Sequence, residues 1–137
     1  MANPSSDYLR TLFVALTDGY PDDCVVHACR LVELLLVECA EPWIGRLRDI
    51  QQVETGVFHG PLIPTTLSGR HARTWTTHYV ACAGDRAYDP LMGEAVALRE
   101  YARRLFGRDL AIETLLGVDR TAELFRAGKL RATIQAR

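Results

Sequence analysis

The chain has 137 residues, 48% apolar and 24% charged, an ordinary globular composition that excludes disordered and fibrous classes and suffices for one domain with a real core. Its 16 Lys+Arg stand against 17 Asp+Glu, a formal net charge of −1, so no basic excess points to nucleic acid or to an anionic membrane surface. The longest apolar stretch, residues 31–40, is interrupted by Glu33 and Glu38 and falls far short of the roughly 20 residues of a membrane span. The expectation is a single domain over residues 1–137, with no nucleic-acid partner, no membrane partner and no cofactor.

The first residues, Met1-Ala2-Asn3-Pro4-Ser5-Ser6-Asp7, carry neither a basic nor an apolar segment of the secretory type, and a cytoplasmic setting is expected. Ser5 or Ser6 is placed to cap a helix running to about Thr17, with Leu9, Leu12, Phe13 and Leu16 on one face. Asp18-Gly19-Tyr20-Pro21 ends it. Asp22 or Asp23 then caps a second helix from Cys24 to near Ala40, before Pro42. Val26, Leu31, Val32, Leu34, Leu35, Leu36 and Val37 make that helix apolar almost all round, as a buried central helix is.

Residues 43–48 alternate as a strand, and residues 53–58 read as a further strand or part of a loop. Residues 59–73, punctuated by Gly60, Pro61, Pro64, Ser68 and Gly69 and holding His59 and His71, read as a surface loop bordering a cleft. Trp75-Thr76-Thr77-His78-Tyr79-Val80-Ala81-Cys82-Ala83 reads as a strand, Gly84-Asp85 as a hairpin turn, and Arg86-Ala87-Tyr88-Asp89 as the returning strand closed by Pro90. Residues 95–106 read as a helix with Leu98, Tyr101, Ala102 and Leu105 inward and Arg99, Arg103, Arg104 and Arg108 on a solvated face. Residues 110–116 form an apolar run of undetermined type, and residues 119–127 a last helix, capped by Asp119 and stopped by Gly128.

Cys24, Cys29, Cys39 and Cys82 form no CxxC pair and no framework spacing, so no disulfide scaffold is expected. Cys29, Cys39 and Cys82 read as small core residues. Cys24 is set apart by its place in the first turn of a helix, where unpaired N–H groups and the macrodipole favour the thiolate. His78 and Asp89 lie on neighbouring strands, where a carboxylate can fix an imidazole tautomer and support the imidazolium. Together the three supply a nucleophile, a base and its orienter. His27, one helical turn after Cys24, invites a metal reading, but no matched second pair of ligands accompanies it, and no metal site is expected.

A Cys at the start of a central helix, followed by a His strand and an Asp strand, resembles the layout of the papain-like and transglutaminase-like cysteine enzymes. The resemblance is carried by Asp23-Cys24, by Thr77-His78-Tyr79-Val80, and by Ala87-Tyr88-Asp89-Pro90 with Gly93 after it. It looks closest to the small papain-fold glutamine deamidase domains of bacterial toxins and effectors. The resemblance implies an α+β fold: a papain-like core in which the Cys-bearing helix packs on a small antiparallel sheet, with flanking helices. It implies a cysteine-dependent amide hydrolase or acyl transferase that deamidates protein glutamine, with Cys24 as nucleophile, His78 as base and then acid, and Asp89 as orienter. Tyr20 and Trp75 are the expected substrate-binding residues. Where papain-type peptidases place a Gln before the Cys, this chain has Thr17-Asp18-Gly19. A protein substrate, a cognate inhibitor protein and delivery as the effector domain of a larger or secreted system follow from the same likeness. The alternative in another class is a catalytically silent papain-like domain that binds a partner as an immunity or adaptor module.

Overall fold

The computed structural model describes residues 6–20, 23–48, 62, 64–65 and 77–136. Helix α1 (Ser6–Gly19) buries Leu9, Phe13 and Leu16, one per turn. Helix α2 (Cys24–Val37) begins where the Asp23 side chain accepts the Val26 N–H at 3.0 Å, the bond expected of an N-cap aspartate. Val26, Ala28, Leu31, Val32, Leu34 and Leu35 are all buried along it, so α2 is the central helix.

The helix stops short of Ala40. Cys39 adopts a left-handed φ of 61°, and the Ala40 N–H reaches back to the Leu35 carbonyl at 2.8 Å, closing the last turn in the Schellman manner. That backbone turns the Cys39 side chain outward, so Cys39 is exposed rather than a core residue, and Cys29 is only partly buried. Cys82 does lie in the core.

Among the described residues five antiparallel strands follow: β1 (Pro42–Arg48), β2 (Thr77–Ala83), β3 (Arg86–Asp89), β4 (Glu94–Ala97) and β5 (Glu113–Leu116), ordered β4-β3-β2-β1-β5. The β2–β3 hairpin turns at Gly84, whose φ of 58° suits a residue without a Cβ. A helix was expected over residues 95–106, but residues 94–97 pair with β3 from Asp89↔Glu94 to Arg86↔Ala97. Helix α3 therefore begins only at Leu98 and runs to Phe106. Pairing across the hairpin outweighs the weak local helix preference of Glu-Ala-Val-Ala.

The apolar run near 110–116 resolves into β5 on the free edge of β1. The last expected helix is α4 (Val118–Arg126), with Gly117 rather than Asp119 at its cap position and no side-chain cap bond. A further helix, α5 (Leu130–Gln135), follows it and buries Leu130 and Ile134.

The sheet separates two apolar layers. On one side Ile44, Ala81, Ala83 and Tyr88 meet α1, α2, α4 and α5. On the other, Leu47, Val80, Cys82 and Ala87 meet Tyr101, Ala102, Leu105 and Phe106 of α3. The fold is α+β with a small antiparallel sheet. The strand or loop expected over 53–58, most of the loop expected over 59–73, His59, His71 and Trp75 lie outside the described residues.

Candidate active site

Strand alternation assigns each member of the site to a face. On β2, Tyr79, Ala81 and Ala83 look toward α2, while Val80 and Cys82 look toward α3; His78 falls in the second set. On β3, Tyr88 faces α2, so Asp89 faces α3. Strand β3 pairs with β2 only from Ala81↔Tyr88 to Ala83↔Arg86, whereas β1 pairs along all seven residues of β2. The first half of β2 is thus uncovered on the β3 side. Cys24, at the N-terminus of α2, lies near enough to His78 to act on its charge.

The site is dry. Exposure is 7% at Cys24, 0% at His78 and 2% at Asp89. His78 Nε2 donates to Asp89 Oδ2 at 2.8 Å and lies 3.1 Å from the Tyr101 hydroxyl. Asp89 Oδ1 accepts the Leu91 N–H at 2.9 Å, and Oδ2 also accepts the Tyr101 O–H in a short bond. The Cys24 side chain lies near enough to the imidazole to raise its proton affinity. With Nε2 taken up by Asp89 and Tyr101, Nδ1 is the nitrogen left to it. Phe106 closes over the ring edge-on, with centroids 5.2 Å apart and planes at 78°.

Electrostatics follow from this geometry. Burial opposes a charged His78, but the nearby Cys24 and the hydrogen-bonded Asp89 outweigh it and lift the imidazole to about 10. Burial likewise opposes a charged Asp89, yet His78, Tyr101 and the Leu91 N–H hold it below the ordinary carboxylate value. Elsewhere burial acts without such partners: it pushes the Cys29 thiol up to about 11 and raises Cys82 as well.

Around this centre the expected residues fare differently. Tyr20 has a half-exposed ring; its carbonyl accepts the Asp23 N–H at 3.3 Å and the His27 Nε2–H, which shapes the turn into α2. His27 is buried, and desolvation lowers its value against the pull of Asp89 and the Tyr20 carbonyl, so it stays neutral near pH 7. No cluster of metal-ligating side chains occurs among the described residues. Thr17, near the end of α1, turns its hydroxyl to the Phe13 carbonyl at 2.7 Å and lies 3.3 Å from that of Pro90.

Two groups escaped sequence reasoning. Tyr101 was read only as a core-facing helix residue, although a phenol on a buried face needs a hydrogen-bond partner, and that need was the available signal. On the α2 face, Arg46 stands opposite Tyr79 in the β1–β2 register, and Tyr79 feels the charge of Cys24 as well as that of Arg46. Arg46 contacts Glu113 Oε2 at 2.7 Å and Arg48 contacts Oε1 at 3.0 Å, which holds the Glu113 carboxyl below its usual value. No local sequence signal links residues so far apart.

The arrangement sets a buried cysteine near an imidazole that Asp89 holds in the charged form. It also leaves N–H donors at the start of α2: the Asp23 side chain takes that of Val26 and the Asp23 carbonyl that of His27, which leaves those of Cys24 and Val25 outside the helix's own ladder. Compared with protein-family models, with curated proteins and with solved structures, the chain gives no match.

Proposed function

We propose that the protein is a cysteine-dependent amide hydrolase or acyl transferase of papain-like architecture, acting on glutamine side chains of a protein substrate. The observation that carries the reading is the buried His78–Asp89 hydrogen bond at 2.8 Å, with Cys24 near enough to the same imidazole to act on its charge. Neither a core cysteine nor a turn-forming aspartate requires that arrangement.

In this reading the Cys24 sulfur attacks the carboxamide carbon, and the C–O π pair moves to oxygen. The resulting oxyanion is met by the Cys24 and Val25 N–H groups at the positive end of α2. Collapse breaks the C–N bond as His78 hands its proton to the leaving ammonia, leaving a thioester. Water then attacks, giving its proton to His78, and the thioester opens to glutamate and free Cys24. Asp89 keeps Nε2 protonated throughout, which reserves Nδ1 for the sulfur and the leaving group. Transfer to an amine instead of water would make the same centre an acyl transferase. A cognate inhibitor protein and delivery as an effector domain belong to the same proposal.

Alkylation separates this reading from a silent binding module. Cys39 is exposed whereas Cys24 is nearly buried, so access alone puts Cys39 first. Iodoacetamide near pH 6.5 should instead modify Cys24 first and stoichiometrically, since the thiolate is the reacting form. Ammonia release from a glutamine-bearing protein should vanish in Cys24→Ala. Labelling led by Cys39, with no ammonia released from any protein substrate, would transfer the assignment to a partner-binding module.

A further inference from the structure

Tyr101 has a phenol where α3 otherwise presents hydrocarbon. Its neighbours on the buried face are Ala102, Leu105 and Phe106, and it is wholly buried itself. A buried hydroxyl is costly unless bonded, and this one has two partners, both in the proposed centre. It carries a single proton, which goes to Asp89 Oδ2. Toward His78 it can therefore only accept, and at 3.1 Å it shares the Nε2–H that Asp89 Oδ2 takes at 2.8 Å.

The result is a closed ring of three groups. Asp89 receives three donors, from His78, Tyr101 and the Leu91 N–H, spread over both oxygens, which favours the ionised carboxylate over the neutral acid. His78 is gripped at Nε2 from two directions, so the ring cannot rotate about its Cβ–Cγ bond without losing both contacts. Phe106 against its edge adds a steric limit.

Resting on the thiol–imidazole reading above, we propose that Tyr101 is a positioning residue: its hydroxyl keeps Asp89 a hydrogen-bond acceptor and locks His78 in the one orientation that turns Nδ1 to Cys24. The phenol itself does not ionise, because burial and the adjacent Asp89 raise it well above the ordinary tyrosine value. Among the described residues, the titratable groups that bear on His78 are Cys24 and His27 from α2, Asp89 at the end of β3 and Tyr101 from α3. Tyr101→Phe removes one oxygen and leaves the packing almost unchanged, so it isolates the hydroxyl.

The test reads the second-order rate of Cys24 alkylation by iodoacetamide between pH 5 and 10, alongside the His78 ring 15N shifts, in the wild type and Tyr101→Phe. Loss of a charge-assisted bond predicts an alkylation rate lower by about tenfold at pH 6 and a His78 titration moved to lower pH by about one unit. Leu105→Val, which trims the same buried helix face without removing a polar group, should lower the melting temperature and leave the pH profile in place. Superimposable profiles for the wild type and Tyr101→Phe would overturn the positioning role while leaving the thiol–imidazole centre standing. If wild-type Cys24 shows no preferential alkylation, the underlying functional reading fails first.

Discussion

Replacing Asp89 with asparagine probes the centre without emptying it. The amide refills the same volume and can keep the Leu91 N–H bond of 2.9 Å, but it presents an NH2 group to His78 Nε2 and the Tyr101 hydroxyl. Removing one partner of a buried ion pair costs roughly 3–5 kcal/mol, and the neutral bonds that survive return about 1 kcal/mol. The expected loss is therefore about 2–4 kcal/mol, read from urea denaturation of both proteins. Its pH dependence is the sharper signature. His78 is raised from 6.5 to about 10 in the folded protein, so its contribution is complete below 6.5, where the unfolded histidine is charged as well, and is lost as pH rises toward 10. Asp89 is lowered from its ordinary 3.8, so its contribution is complete above that value and lost in more acid solution. Groups that titrate alike in both proteins cancel. The gap between wild type and Asp89→Asn should thus be widest near pH 5–6.5 and narrow steadily by pH 10. A gap that stays constant from pH 5.5 to 10, or is below about 1 kcal/mol throughout, would refute an imidazolium–carboxylate pair at this site.

Cys24→Ala removes the influence of the sulfur that raises His78, while desolvation remains; the 15N-detected titration of His78 should move to lower pH, and an unmoved titration would separate the two side chains. Gly45→Ala should cost about 1–3 kcal/mol by overpacking, because the new methyl would sit 2.8 Å from Ile112 Cγ2 and 3.3 Å from both Cys82 Sγ and Val80 Cγ1; chemical denaturation gives the answer. Cys39→Gly should stabilise by about 0.5–1 kcal/mol, since Cys39 holds a left-handed φ of 61° at an exposed position where glycine pays no Cβ penalty. It also removes the most accessible competing thiol from the alkylation assay.

Local sequence signals carried the parts of this protein that local physics governs. The Asp23 cap, the apolar circumference of α2, the Gly84 turn and the β-branched residues of β2 each act within a few residues, and each element formed where its signal lay. The pairing of His78 with Asp89 was legible for the same reason, as each occupies a recognisable local setting on neighbouring strands. Residues 94–97 were misread because their state depends on a partner strand, and the outward turn of Cys39 depends on how α2 ends in space.

What only the tertiary structure decided is how the trio meets. His78 and Asp89 face the α3 layer while Cys24 is carried by α2, and β3 pairs with just three residues of β2. The length of a ladder is set by which strands the sheet can recruit, and no periodicity within one strand records it. Tyr101 is the same lesson at the scale of one atom. Helical spacing placed its ring in the core, but a hydroxyl finds its acceptor through space, twelve residues away along the chain at Asp89, and burial made that bond obligatory.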